Sequence, residues 1–247
     1  MEERINELVR MIAESRKTVF FGGAGVSTES GVKDYRSEDG LYNTVREYGV
    51  SPEEILSHSF FIKHPDTFYD FYYKYFLKDT ALPNRAHRAL ALLEEKGKLS
   101  SVITQNIDGL HQAAGSKNVI ELHGTVFYHY CPECFTQYPN ESIKLLKGKI
   151  PRCEKCSSVI RPKVTLYEEQ LDEKAVNAAV SEISSADLLI IGGTSLAVYP
   201  AAMYIRYFRG KNIVLINRDE TQYDGMASLI FRESIGEVLE KTVEALF

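Results

Sequence analysis

No run in the 247-residue sequence approaches the roughly 18 to 20 consecutive apolar residues that a membrane-crossing helix requires. The first stretch, MEERINELVRMIAESRK, also lacks an apolar core long enough for a signal peptide. Its apolar Ile5, Leu8, Val9, Ile12 and Ala13 fall at helical spacing, which predicts a surface helix on a soluble, cytoplasmic chain with no membrane partner. A basic excess is missing as well. The 29 Lys and Arg are scattered among 34 Asp and Glu, for a net charge of -5, which argues against a direct nucleic-acid partner. Internal repeats and low-complexity tracts are absent, which excludes a repeat architecture. Cysteine is scarce, with four residues all confined to positions 128–160.

What is present suits a large core. Hydrophobic residues make up 44% of the chain, and the length fits one sizeable α/β domain with a small insertion. Compact apolar runs at 18–21, 101–104, 187–191 and 212–216 read as buried parallel strands. Amphipathic stretches at 84–97, 172–185 and 200–209 lie between or beside them. Alternating strands and helices predict a Rossmann-like, doubly wound parallel sheet, with its ligand outside the carboxyl ends of the strands. Two regions break the alternation: 37–82, rich in aromatics (FFIKHPDTFYDFYYKYF), and 128–160.

The cysteines form two CxxC pairs, Cys131 with Cys134 and Cys153 with Cys156, separated by 18 residues. That spacing predicts one structural Zn²⁺ held by four thiolates. Such a site is coordinatively closed, so it would fold a small ribbon and would not activate water. Two disulfides are the alternative, disfavoured in a cytosolic chain. A redox CxxC is weaker still, because a strand-to-helix context is lacking.

Gly22-Gly23-Ala24-Gly25-Val26-Ser27 follows an apolar strand and allows close backbone approach to a ligand. The usual GxGxxG register fails at Thr28, and no acidic residue closes a second strand about 20 residues on. A nucleotide cleft and a plain tight turn are both open on the glycines alone. The other strand ends are also polar. TQNIDGLH puts Gln105, Asn106 and Asp108 past the second strand, where an Asx turn is the alternative to ligand binding. ELHG sets His123 after Val119-Ile120, either as a structural histidine or as a general base. GGTSLAVYP brings Gly193, Thr194 and Ser195 after the third strand, and VLIN ends the fourth at Asn217. Four strand ends with small or polar groups form the pattern of a nucleotide cleft.

GAGVSTESGVKDYRS, TQNIDGLH, ELHG, the two CxxC pairs, RPKV and GTSLAVYP, in that order and spanning nearly the whole chain, resemble the sirtuin family of NAD-dependent protein deacylases. The resemblance implies an NAD cleft lined by Gly23, Ala24, Gly25, Thr28, Tyr35 and Arg36. It assigns Gln105 and Asn106 to the ribose end, and Ile107 and Asp108 to the nicotinamide amide. Gly193, Thr194, Ser195 and Asn217 would hold the adenosine half, with Ile235 at its far end. His123 would be the catalytic base, with Asn106 also catalytic. NAD is consumed: the acyl-lysine oxygen attacks the ribose carbon as nicotinamide leaves, and lysine and O-acyl-ADP-ribose are released.

The resemblance also divides the chain into a Rossmann-like domain (1–36, 83–127 and 161–247), a cofactor-loop and helical part (37–82) and a zinc-binding module (128–160). Acyl-lysine proteins or peptides would lie extended near Val164, Tyr167 and Val198, on a monomeric enzyme. Three positions depart from the family pattern: Lys33 stands for a proline, Tyr35 for a phenylalanine and Glu168 for a glycine. Family members that favour succinyl or malonyl lysine carry Tyr and, three residues on, Arg. Here the aligned pair is Tyr72 and Tyr75, which predicts neutral acyl groups; the alternative is that this aromatic helix only packs. Two rival functions remain, an NAD-dependent mono-ADP-ribosyltransferase and a zinc-stabilised module that binds a nucleotide without turning it over.

Overall fold

Short runs of Val, Ile, Leu and Phe without polar alternation must be buried on both faces, and in this protein they form the middle of a parallel sheet. The computed structural model describes residues 1–32, 45–77, 81–196 and 198–247, apart from the side chain of Arg46. Its strands are β1 (Thr18–Gly22), β2 (Ser101–Thr104), β3 (Val119–Glu121), β4 (Gly124–Tyr130), β5 (Gln137–Pro139), β6 (Arg161–Val164), β7 (Leu188–Gly192), β8 (Asn212–Ile216) and β9 (Leu229–Phe231). Six of them pair in parallel in the order β3-β2-β1-β7-β8-β9. The other three form an antiparallel sheet, β5-β4-β6.

The helices are α1 (Glu2–Glu14), α2 (Val45–Tyr48), α3 (Pro52–Ile55), α4 (His58–Lys63), α5 (Pro65–Tyr75), α6 (Arg85–Glu95), α7 (Leu110–Ala113), α8 (Asn140–Lys144), α9 (Glu173–Ser185) and α10 (Ile235–Leu246). On one face of the parallel sheet, Leu8 and Ile12 of α1, Leu90 of α6 and Val238 of α10 pack on Phe20, Val102, Ile190 and Val214. On the other face, Ile183 of α9 and Ile205 pack on Val19, Phe21, Ile103, Leu189 and Ile191. Helices on both faces of a parallel sheet make it doubly wound, as the alternation of elements predicts.

Differences from the predicted elements have local causes. Asp187 is not part of β7, because its carboxylate accepts from Ser15 Oγ and from the backbone N–H groups of Arg16 and Lys17, closing the turn between α1 and β1. The helix expected at 200–209 is a 3-10 segment, Ala201–Tyr207. Strand β9 has only three residues, too few for a periodic signal.

The smaller sheet runs from Gly124 to Val164, beyond the stretch marked by the cysteines. It shares one core with the aromatic helices: Phe61, Phe68, Tyr69, Tyr72 and Tyr73 pack on Val126, Ile143 and Ile160. Tyr72 is stacked between Phe68 and Phe76, with ring centroids 5.8 and 5.7 Å away. Its hydroxyl meets His129 Nε2 at 3.2 Å, and only 1% of the residue is exposed. Tyr72 is therefore packed into the core of the small sheet in this conformation. Tyr75 is half-buried, tilted against Phe71.

The two CxxC segments adopt matching turns. Phe135 N–H donates to Cys131 O at 2.9 Å and Ser157 N–H to Cys153 O at 2.8 Å. Each turn closes on a left-handed residue, Phe135 at φ 58° and Ser157 at φ 63°. The four Sγ atoms lie within 4.8 Å of one another, and the approaches Cys131–Cys156 and Cys134–Cys153 are 3.4 Å. That is too long for a disulfide. It is close to the S···S edge of about 3.8 Å that a tetrahedron with Zn–S near 2.3 Å requires. The residues fit zinc.

A Cys153→Ser variant is expected to lower bound zinc from about one ion per chain to nearly none, by atomic emission. It should also remove near-ultraviolet dichroism from the tyrosine core while far-ultraviolet dichroism from the parallel sheet persists. A second prediction concerns His87 and His111, whose rings meet edge-on with centroids 4.7 Å apart, under Phe20. Burial lowers their pKa to about 4 and about 3. Both are neutral at pH 7 whether folded or unfolded. As pH falls below the ordinary histidine value of about 6.5, the unfolded chain is protonated first, so stability is lost from there down to the folded values. Unfolding at pH 5.5 should take up at least about two protons, measured by calorimetry in buffers of differing ionisation enthalpy.

Candidate active site

The sheet order reverses between β1 and β7: the chain leaves β1 towards β2 on one side and β7 towards β8 on the other. A crevice beyond the carboxyl ends of these two strands follows from that reversal. Two glycine turns meet there. Gly25 N–H donates to Gly193 O at 2.8 Å, and a Cβ on Gly25 would lie 2.8 Å from Gly193 Cα. Gly193 has φ 59°, and a Cβ on it would lie 2.4 Å from Val26 N. The glycines are required by this backbone crossing.

The polar strand ends identified in the sequence lie at the carboxyl edge of the same parallel sheet. Ala24 and Thr28 follow β1, with Thr28 Oγ1 donating to Gly25 O at 3.0 Å. Gln105 follows β2. Its N–H donates to Gly22 O at 3.0 Å and its Nε2 to Thr194 Oγ1 at 3.1 Å, which ties β2 to the turn after β7. Ser195 is exposed beside Thr194. Asn217 ends β8 with its N–H on Phe231 O, and its Nδ2 donates to Asp219 O at 2.9 Å. Ile235 opens α10, and its Cδ1 lies 2.4 Å from where a Gly192 Cβ would be, so it covers the end of β7.

Asn106 and Asp108 converge on a residue that sequence reasoning missed. Ser27 Oγ is 2.7 Å from Asp108 Oδ2, 3.0 Å from Asn106 Nδ2 and 3.4 Å from His87 Nε2. His87 Nδ1 accepts from Asn84 N–H at 3.3 Å, so its proton is on Nε2. Ser27 thus accepts from His87 and Asn106 and donates to Asp108. Burial pushes the Asp108 carboxyl above the usual carboxylate range, although Leu110 N–H and Ser27 hold it down. His111 lies behind this group, buried, with neither ring nitrogen partnered among the described residues. A buried serine flanked by polar neighbours on separate strands gives no sequence signal until the strands are placed.

His123 follows β3 at the junction of the two sheets. Its Nδ1 is 2.8 Å from Gln105 O, a carbonyl that can only accept, so Nδ1 carries the proton and Nε2 a free lone pair. Its carbonyl accepts Thr165 N–H at 2.9 Å from the segment after β6. Burial lowers its pKa, while the hydrogen bond to Gln105 opposes this. The arrangement presents a neutral, oriented imidazole, which is what a general base needs. Ile107 lies between the sheets, with its carbonyl accepting from Val126 N–H at 3.1 Å.

The substrate-side residues are only partly gathered. Val164 is buried at the end of β6, Tyr167 is 46% exposed and Val198 is half-buried. Tyr167 N–H donates to Leu56 O and its carbonyl accepts from His58 N–H, both at 3.0 Å, so these two groups are already paired. Glu168 keeps a left-handed φ of 75°, the conformation of the glycine it replaces. Lys33, Tyr35, Arg36 and Ala197 lie outside the described residues.

The comparisons with known proteins agree with this geometry. The model of the Sir2 family matches residues 23–200. The chain is 53% identical to an NAD-dependent protein deacetylase of Clostridium perfringens (strain 13 / Type A), covering 99% of this chain and 100% of that protein. A Sir2 solved with a p53 peptide and NAD+ has a TM-score of 0.87 at 40% identity, covering 98% of both chains. A histidine-to-alanine Sir2 variant, solved with a deacetylated p53 peptide and 3'-O-acetyl ADP ribose, has a TM-score of 0.88, also at 40% identity and 98% of both chains. A match through both glycine turns and the cysteine module, with half of all residues identical to a full-length relative, means that the chain belongs to the Sir2 family.

Proposed function

We propose that this protein is an NAD-dependent protein-lysine deacetylase that moves the acyl group to ADP-ribose, releasing nicotinamide, free lysine and O-acyl-ADP-ribose. The observation that carries the reading is His123, held as the Nδ1–H tautomer by the Gln105 carbonyl beside the glycine crevice. The Clostridium perfringens relative, named as such a deacetylase, supports it.

NAD supplies an electrophilic ribose carbon that the acyl oxygen of lysine attacks as nicotinamide leaves. The rest of the work belongs to the chain. The Gly23–Gly25 and Gly193–Thr194 turns let the dinucleotide approach the backbone, and Asn217 and Ile235 border the adenosine end. Asn106 borders the ribose end and Asp108 the nicotinamide amide, the two side chains joined through Ser27. His123 Nε2 takes the proton of a ribose hydroxyl as that hydroxyl attacks the acyl carbon, and a water molecule then adds to that carbon as the lysine amine leaves with a proton, giving O-acyl-ADP-ribose. Zinc bound by Cys131, Cys134, Cys153 and Cys156 would fold the small sheet, and all four thiolates would be used in holding it.

The reading extends to neutral acyl groups. Tyr75 stands where the guanidinium of a succinyl-selective relative would be. Lys74, the cation on α5, has Nζ 2.6 Å from Glu47 Oε2 and 5.4 Å from the centre of the Tyr75 ring. A negatively charged acyl group would have to compete with Glu47 for that single cation, which lacks the bidentate fork of a guanidinium. The mono-ADP-ribosyltransferase alternative needs no acyl-directed base, and the oriented His123 favours deacetylation.

Incubation with NAD and an acetyl-lysine peptide should yield nicotinamide and deacetylated peptide, and His123→Ala should lower that rate by a factor of about 10² to 10⁴ with the fold intact. Labelled protein in place of deacetylated peptide would support the transferase instead. Because burial depresses the His123 pKa, the neutral base persists into mild acid. Activity should be full above the limb and fall as pH drops through it, with the acid limb of kcat/KM below about 6.5. Among acyl peptides, acetyl should exceed succinyl in kcat/KM by at least about tenfold; equal turnover would overturn the neutral-acyl reading.

A further inference from the structure

The N-terminus of α10 is capped from the far end of the chain. Ser234 occupies its N-cap position but makes no side-chain cap hydrogen bond. Its hydroxyl instead accepts from Arg85 Nη2 at 3.2 Å. The N–H of the buried Gly236 donates to Glu29 Oε1 at 3.1 Å, and the other oxygen of that carboxylate accepts from Arg85 Nε at 2.9 Å. Arg85 Nη1 reaches Glu240 Oε2 at 3.2 Å, one turn further along α10. A Cβ on Gly236 would lie 2.5 Å from Glu29 Oε2 and 2.7 Å from Arg85 Cγ, so the ion pair sits directly on the glycine backbone. Burial would raise the Glu29 pKa, but Arg85 and the Gly236 N–H outweigh it and hold the carboxyl below its ordinary value.

The position of this contact relates it to the cleft. Glu29 immediately follows Thr28, and Gly236 immediately follows Ile235. On the deacetylase reading, on which this inference rests, both neighbours border NAD, Thr28 from the glycine-turn segment and Ile235 from the far end of the adenosine half. The preceding residue, the N-cap of α6, reinforces the clasp: Asn84 Nδ2 donates to Val26 O at 2.8 Å and to Ser30 Oγ at 3.0 Å. The start of α6 therefore grips both sides of Glu29, while Glu29 and Arg85 grip α10. We propose that Glu29 and Arg85 are positioning residues that hold the glycine-turn segment and the start of α10 at the separation NAD requires.

A merely structural pair would change the amount of folded enzyme and so lower kcat in proportion, leaving KM alone. A positioning pair changes binding of one substrate. Glu29→Ala and Arg85→Ala are each expected to raise KM for NAD by about tenfold, with kcat at saturating NAD and KM for the acetyl-lysine peptide within about twofold of wild type. The same loss should appear in calorimetric titration with ADP-ribose. The double variant should lose less than the sum of the two single losses, because both singles remove the shared Glu29–Arg85 contact. Glu29→Gln keeps an acceptor for Gly236 N–H but loses the charge, and is expected to fall between wild type and Glu29→Ala. Should Glu29→Ala fail to fold, Glu29→Gln and Arg85→Ala decide the matter. A KM for NAD within twofold of wild type in the folded variants overturns the proposal, as does a fall in kcat without a change in KM. A wild-type enzyme that releases no nicotinamide from NAD would refute the deacetylase reading, and the pair's role towards NAD with it. Normal wild-type turnover beside unaffected variants refutes the pair alone.

Discussion

The contact between Gly25 and Gly193 is the constraint around which the cleft is built. One backbone N–H reaches across 2.8 Å to a carbonyl on the neighbouring turn, and neither residue has room for a side chain. The crossing is possible only because β1 and β7 lie side by side and their following segments diverge to opposite halves of the sheet. It joins the two glycine turns into a single floor, from which Thr194 reaches Gln105 and Ser27 reaches Asn106 and Asp108. A methyl group at Gly25 would push the turns apart and move all of these groups together. The polar residues depend on this approach more than it depends on them.

The second organising contact is the 2.8 Å hydrogen bond from His123 to the Gln105 carbonyl. A backbone carbonyl has no proton to lose, so the tautomer it selects does not change with pH. An aspartate partner would give up that property at low pH. His123 also lies between the parallel and antiparallel sheets, with Thr165 N–H on its carbonyl, so a movement of the small sheet is felt at the base. The orientation of the His123 ring and the placement of the segment after β6 are thus mechanically linked through one residue.

Much of the large sheet was legible in the sequence. The runs at 101–104 and 212–216 coincide with β2 and β8, since a continuous apolar run bounded by polar residues has few other uses in a buried sheet. The positions of the strand-end motifs were legible for the same reason: the polar residues begin where the buried apolar runs stop. The small sheet was less legible. Its β4 alternates poorly, with Phe127 and Tyr128 both exposed, and β5 has three residues. Tyr72 shows a different limit. Its place on the aromatic helix was readable, but which face of that helix met the core depended on strands brought in from 124–164. Ser27, His87 and His111 were invisible singly, because their role is a convergence of three distant segments.

Glu168 shows how a departure from a family pattern is accommodated. The backbone there keeps φ 75°, which costs a side-chain-bearing residue about 1 kcal/mol. Its carboxylate accepts from Ser59 N–H at 2.8 Å and Ser59 Oγ at 2.9 Å, satisfying one of the open donors in the first turn of α4. A charge-assisted hydrogen bond of this kind is of the same order as the strain, so the substitution can be nearly neutral for the fold. Its effect is mechanical. Glu169, with both oxygens on Arg161 and one on His58, fastens the adjacent residue in the same direction. The segment after β6 is therefore bound to α4 by side chains at two successive positions, where a glycine at 168 would leave the Glu169–His58 contact and the backbone pairing of Tyr167 to hold it.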